Sequence, residues 1–238
     1  MNKMGEFLDL FLEQMMESSN GEELKAALES TIAEEKLCLE QFKIQIEHCR
    51  KQIKAIDKLM ASGKTSHDLM VKKTAFEEEQ IILNVAAQCQ LCSFETKEKQ
   101  YQLYFEKDEH QRARLAAEAC VMMYERCDDL QQLTGKEFQG LLEQFLGQAD
   151  LLRIRNTRKS LGDFYNKERV YLSGVRNNVG AHRDHDFMAQ MEVLEGIKWS
   201  DTIDRLHRFE VVTLEFGQSL KPLMEAGLAQ IARAFEQC

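Results

Sequence analysis

One proline in 238 residues, Pro222, and only twelve glycines leave little material for tight turns. Those two residues supply most of the backbone conformations that hairpins and sandwiches need, so a turn-rich β architecture is excluded. No stretch alternates apolar and polar residues with period two, and no strand is expected. No apolar run reaches the roughly eighteen residues of a membrane span. The opening MNKMGEFLDLFLEQMMESS lacks the basic start and small-residue cleavage site of a secretory signal, so a cytoplasmic protein without a membrane partner is expected. Paired cysteines are missing too: there are seven, an odd number, scattered mainly on the apolar side of helical patterns, which suits reduced thiols acting as small hydrophobes. Cys89 and Cys92 have CxxC spacing but no second pair follows, and Gly63-Lys64-Thr65 has Lys58 where a phosphate-binding loop requires glycine. Neither a metal nor a cofactor is expected.

Positive charge is also scarce overall. A formal net charge of −9 excludes a general nucleic-acid coat, because non-specific binding comes from lysine and arginine at phosphates. Its distribution is uneven. Between 151 and 183 stand Arg153, Arg155, Arg158, Lys159, Lys167, Arg169, Arg176 and Arg183 against only Asp163 and Glu168. This segment suits an anionic ligand, and equally a solvated basic helix face.

What the sequence has in quantity is helical periodicity. Leu39, Phe42, Ile46, Cys49, Ile53, Ile56 and Met60 step alternately by three and four, a heptad seam, and Leu24, Leu28 and Ile32 extend the stripe upstream. A helix over about 22–62 follows. Gly63 ends it, Thr65 with Asp68 reads as a capping box, and a second long helix spans about 66–106. The expected fold is all-α: a long antiparallel helical hairpin, or coiled-coil arm, over 1–107 and a helical bundle over 108–238. Met4 to Met16 reads as a short amphipathic helix docked on the arm. In the bundle, Asp108 caps a helix to about Leu133, another runs from Thr134 or Gly135 to about Ile154, and Ser160 precedes a third. Trp199-Ser200-Asp201 offers the next N-cap, and Pro222 allows a break near Lys221.

The stretch VRNNVGAHRDHD, 175–186, gathers two arginines, two histidines and two asparagines at the end of the third of these helices. Arg176 and His182 stand six positions apart, about 9 Å of helix axis, and Gly180 can loosen the helix end so that both line one cleft. An imidazole titrates near neutrality, and a guanidinium clamps phosphate with its planar fork. Here the sequence resembles the HEPN superfamily, helical bundles marked by an arginine, four to six residues and a histidine, often with a polar residue after the arginine. Arg176, Asn177 and His182 fill those positions, and the resemblance covers 108–238 only. It implies a metal-independent endoribonuclease of the kind found in toxin–antitoxin and antiviral systems, a homodimer with motifs meeting at the interface, and an RNA partner. Arg176, Asn177 and His182 would be catalytic, with Arg153, Arg155, Arg158, Lys159, Arg169 and Arg183 contacting phosphate.

Two other readings stand beside this one. Asp184 and Asp186 serve as caps of a following helix, with Arg183 and His185 as exposed loop. Arg176 and His182 would then pin a helix end to a carboxylate or carbonyl, and the protein would work as a non-catalytic interaction protein whose arm binds a protein partner.

Overall fold

The computed structural model describes residues 14, 16, 18–64, 66–179 and 187–236, without the side chains of Phe187 and Ala189. Among the described residues there are eight helices and no strand: α1 (Ser19–Ala61), α2 (His67–Phe105), α3 (Glu109–Leu133), α4 (Lys136–Phe145), α5 (Gln148–Val179), α6 (Phe187–Gly196), α7 (Trp199–Ser219) and α8 (Lys221–Glu236). The fold is all-α, and none of these helices is long and apolar enough to cross a membrane. Most of the expected N-terminal helix, Met4 to Met16, lies outside the described residues, as does Thr65 of the expected capping box.

The α1–α2 turn follows from its residues. Gly63 has φ of 85°, a left-handed conformation that costs glycine no Cβ clash. The Lys64 N–H reaches the Leu59 carbonyl at 3.2 Å and the Gly63 N–H reaches that of Met60 at 3.1 Å, the pair of bonds that closes a Schellman C-terminus. Ser66 Oγ then accepts the Leu69 N–H at 3.2 Å and starts α2.

The chain forms two compact units: the first from Met1–Lys36, Cys92–Asp128 and Ser160–Thr213, the second from Leu37–Leu91, Asp129–Lys159 and Leu214–Cys238. Each draws residues from both sides of position 107. In the second unit the heptad seam packs as its spacing dictates: Cys49 and Ile56 with Phe42, Ile46, Ile53 and Met60 meet Phe76, Leu83 and Leu69 of α2. Lys73 pairs with Asp57 at 2.7 Å. In the first unit Tyr101 donates to Glu29 and Ser93 to Glu35, both at 2.8 Å. Residue numbers fall on α1 as they rise on α2, so in each unit the two helices run antiparallel.

They are not a pair by themselves. Adjacent positions 75/76, 82/83, 85/86, 92/93 and 103/104 of α2 are all buried, and neighbours on a helix point about 100° apart. A helix with apolar residues on so many sides must be enclosed. In the second unit α8 brings Met224 and Ile231 to the α1–α2 seam, and Gln144 of α4 donates to Glu78 at 3.2 Å. In the first unit α3 pairs Arg126 with Glu95 at 2.6 Å, and α7 pairs Glu210 with Lys97 at 2.5 Å. Each fully enclosed Leu, Ile or Phe in these seams contributes about 1.5–3 kcal/mol.

The expected helix end near Ile154 and restart at Ser160 are not observed. α5 runs unbroken through both positions, and the break falls earlier, where Leu146 is extended (φ −112°, ψ 143°) before Gly147. Ser160 is an exposed residue within a helix whose packing is set by buried Leu151, Ile154, Leu161 and Phe164. Trp199 does open α7, but Ser200 Oγ is buried without a hydrogen bond and caps nothing among the described residues. Leu220 separates α7 from α8, with Pro222 in the first turn of α8, where its missing N–H costs nothing. The six described cysteines are thiols rather than disulfides. Burial pushes Cys89 and Cys127 up to about 12 and Cys120 up to about 11, so all three stay protonated as apolar packing.

Candidate functional site

Within the first unit, α5 faces inward through Leu161, Phe164, Tyr165, Glu168, Leu172 and Val175, a stripe at steps of one, three and four. Arg169 and Arg176 each follow a residue of that stripe and stand two turns apart. Both therefore lie along one edge of the buried face. Arg176 occupies the last turn of α5, where a cation also meets the negative end of the helix dipole.

The Arg176 side chain is 27% exposed. Its guanidinium lies over the Tyr124 ring of α3, 5.2 Å from the centroid. Nε is shielded from solvent, and among the described residues it has no hydrogen-bond partner and its carboxylate neighbour, Glu125 Oε1, stands 3.6 Å away. That separation gives Coulombic attraction without a hydrogen bond, and Glu125 itself is 51% exposed and solvent-screened. Tyr124 meets Tyr165 edge-on at 5.7 Å, and Arg169 covers Tyr165 at 5.6 Å. Burial, then the hydrogen bond with Tyr124, pushes the Tyr165 hydroxyl up to about 12, so the ring presents a neutral face. The result is a ladder of cation, ring, ring and cation along α3 and α5. Asn177 is exposed, while Asn178 turns back to donate to the Gly174 carbonyl at 2.7 Å.

His182 and Arg183 lie outside the described residues, with Gly180, Ala181, Asp184, His185 and Asp186. The remaining predicted phosphate contacts divide. Arg169 belongs to the same unit as Arg176; Arg153, Arg155, Arg158 and Lys159 belong to the second unit. There Arg155 is engaged by Glu143 at 2.6 Å, Arg153 stands 3.6 Å from Asp150, and Arg158 Nε donates to Thr134 Oγ1 at 3.0 Å. Lys159 is exposed. Two of these four cations thus have a carboxylate beside them, Arg155 closely and Arg153 at the longer distance.

Sequence reasoning missed Tyr124 and Glu125, because a partner some fifty residues from Arg176 leaves no local pattern, and it missed Tyr165 although that residue stands one turn before Arg169 on α5. It also missed two partly buried ionic clusters of the first unit. Glu168 accepts from Arg205 Nε at 3.0 Å and from Arg208 Nη1 at 2.7 Å. Burial opposes its ionisation, yet the bonds from Arg208 and Arg205 win and hold the carboxyl below its ordinary range. Lys97 bridges Glu35 at 2.9 Å and Glu210 at 2.5 Å, and Gln100 links Glu210 to His207, which bonds the Tyr104 hydroxyl at 2.9 Å. Burial disfavours the Lys97 charge, but its two carboxylates raise its pKa all the same. No group of three or more His, Cys, Asp or Glu suited to hold a metal ion stands together among the described residues. Set against protein-family models, curated proteins and solved structures, the chain matches none.

Proposed function

We propose that the end of α5 binds an RNA phosphate and, together with His182, cleaves the strand without a metal, in the manner the HEPN resemblance implies. The supporting observation is Arg176, a half-buried guanidinium whose nearest anionic neighbour among the described residues, Glu125, stands beyond hydrogen-bond reach. A buried donor left unmet costs about 1–3 kcal/mol, and a phosphate oxygen would supply the missing acceptor once the side chain, 27% exposed, turns Nε toward the ligand. In the reaction, Arg176 stabilises the charge that gathers on the phosphorane, and Asn177 orients the phosphate or the imidazole. His182 takes the 2′-hydroxyl proton or gives one to the leaving 5′-oxygen. A homodimer would bring one His182 for each role.

A second reading has its own observation. Leu37 and Ile44, seven residues apart on one face of α1, are 68% and 57% exposed. A helix that shows aliphatic side chains at that spacing suits a partner helix, and a protein working through α1 would need no chemistry at Arg176.

The test is cleavage of a mixed RNA pool in EDTA by the full chain, beside Arg176→Ala and His182→Ala, with both variants shown by circular dichroism to be folded. The expected result is cyclic-phosphate ends from the wild type and a loss of about 100-fold or more in each variant. No cleavage, or equal cleavage by all three, moves the function to the α1 surface.

A further inference from the structure

Glu79 of α2 is 1% exposed, and neither carboxyl oxygen has a hydrogen-bond partner among the described residues. It lies in the second unit between α1 and α8. The α8 backbone comes so close that a Cβ on Gly227 would stand 2.1 Å from Glu79 Oε2 and 3.0 Å from Ile82 Cδ1. Any side chain at 227 would therefore have to displace the Glu79 carboxyl or lift α8, so the carboxyl and the glycine share one seat. Around it the packing is apolar: Ile56, Phe76 and Leu83 with Met224 and Ile231 of α8.

The charged and titratable groups nearby offer Glu79 no counter-charge. α1 presents the buried Cys49 thiol, raised by its own burial and then by the Glu79 charge. His48 meets Phe76 edge-on, and Asp57 is paired with Lys73. On α8, Lys221, Glu225, Arg233 and Glu236 are exposed, and Gln230 donates to Glu78 instead. α4 carries exposed Lys136, Glu137 and Glu143, the last taken by Arg155. On α2 itself, Lys72 lies over Phe235 and Glu78 is bonded by Gln144 and Gln230.

We propose that Glu79 and Gly227 form a proton-controlled latch: α8 is seated on a protonated Glu79 and loosens when the carboxyl ionises. An unpaired carboxylate in an apolar seat is far more costly than the neutral acid, and lifting α8 lets water reach it. Burial alone pushes Glu79 up from 4.5 to about 7. A carboxyl whose folded pKa is raised stabilises the closed state fully below its ordinary pKa, and that stabilisation is lost as pH rises through the folded value. The working window is therefore between pH 4.5 and about 7. Opening uncovers Met224 and Ile231 together with the Ile56, Phe76 and Leu83 surface beneath them.

The experiment follows amide hydrogen exchange of residues 221–236 in the full-length protein from pH 5 to pH 8, corrected for intrinsic exchange, in wild type and Glu79→Gln. Wild-type α8 opens roughly 50- to 100-fold more at pH 8 than at pH 5, while Glu79→Gln is flat. A carbon-13 titration of the wild-type Glu79 carboxyl, which needs no variant, places its midpoint near 7 rather than near 4.5. A midpoint near 4.5, a flat wild-type profile, or equal slopes in both proteins overturns the latch.

Discussion

Two arginines of the first unit are held in nearly the same way and end in different states. Arg205 lies 4.0 Å over Tyr171, donates through Nε to Glu168 at 3.0 Å and through Nη1 to the Asp201 carbonyl at 3.1 Å. Arg176 lies 5.2 Å over Tyr124, faces Glu125 at 3.6 Å, and has a shielded Nε with no partner among the described residues. Stacking on tyrosine is common to both; a hydrogen-bonded Nε is not. Glu168, buried and shared with Arg208, is fixed by two guanidinium groups, whereas half-exposed Glu125 is free to turn to water. The difference separates an arginine whose Nε is committed to a buried carboxylate from one whose Nε has no partner among the described residues.

The comparison breaks most visibly through its carboxylates. Glu168→Ala leaves Arg205 and Arg208 facing each other with their carboxylate gone, and urea unfolding should record a loss of about 3–5 kcal/mol. Glu125→Ala should cost under about 1 kcal/mol, as exposed pairs do; an equal cost would erase the distinction. Glu79 of the second unit provides the opposite pH signature. Glu168 has a lowered pKa, so its stabilisation is lost as pH falls, while the stabilisation from protonated Glu79 is lost as pH rises toward 7. Glu79→Gln should therefore remove a decline of about 3 kcal/mol between pH 4.5 and 7, read from unfolding at each pH. A smaller effect is expected at Arg176. Arg176→Ala should leave stability within about 1 kcal/mol. In fluorescence anisotropy it should lower the salt slope of single-stranded RNA binding by about 0.7. Smallest of all, Glu125→Gln should raise RNA affinity by about two- to fivefold, because it removes the charge that competes for Arg176.

Periodicity carried much of the fold. The seam from Phe42 to Met60 packs at the spacing its apolar residues dictate, with Cys49 and Ile56 buried at its centre, and Gly63 ends α1 where a left-handed residue was needed. The enclosure of α2 was harder to see, although its adjacent buried pairs such as Ile82 with Leu83 and Val85 with Ala86 carry the signal of a helix covered on several sides. Reading it as one half of a two-helix arm used only the face toward α1. Ser160 misled because a serine caps the start of a helix only where the chain breaks before it, and α5 is buried on both sides of that position. At the site, residue type and spacing picked out Arg176 and Asn177 but not Tyr124 or Glu125, which tertiary packing alone brings to them, nor Tyr165, which lies one turn before Arg169 on the same helix. Glu79 was invisible for the same reason: in sequence it is one glutamate among Glu77, Glu78 and Glu79, and only the approach of Gly227 sets it apart.

The availability of Arg176 is tested most directly by following arginine Nε–H signals in nitrogen-15 spectra of the full chain during titration with a short single-stranded RNA, with Arg176→Lys and Arg205→Lys assigning the two resonances. Uptake of phosphate by the unmet donor should move the Arg176 signal saturably and leave that of Arg205 in place. An Arg176 signal that does not move, or two signals that move alike, would contradict the account.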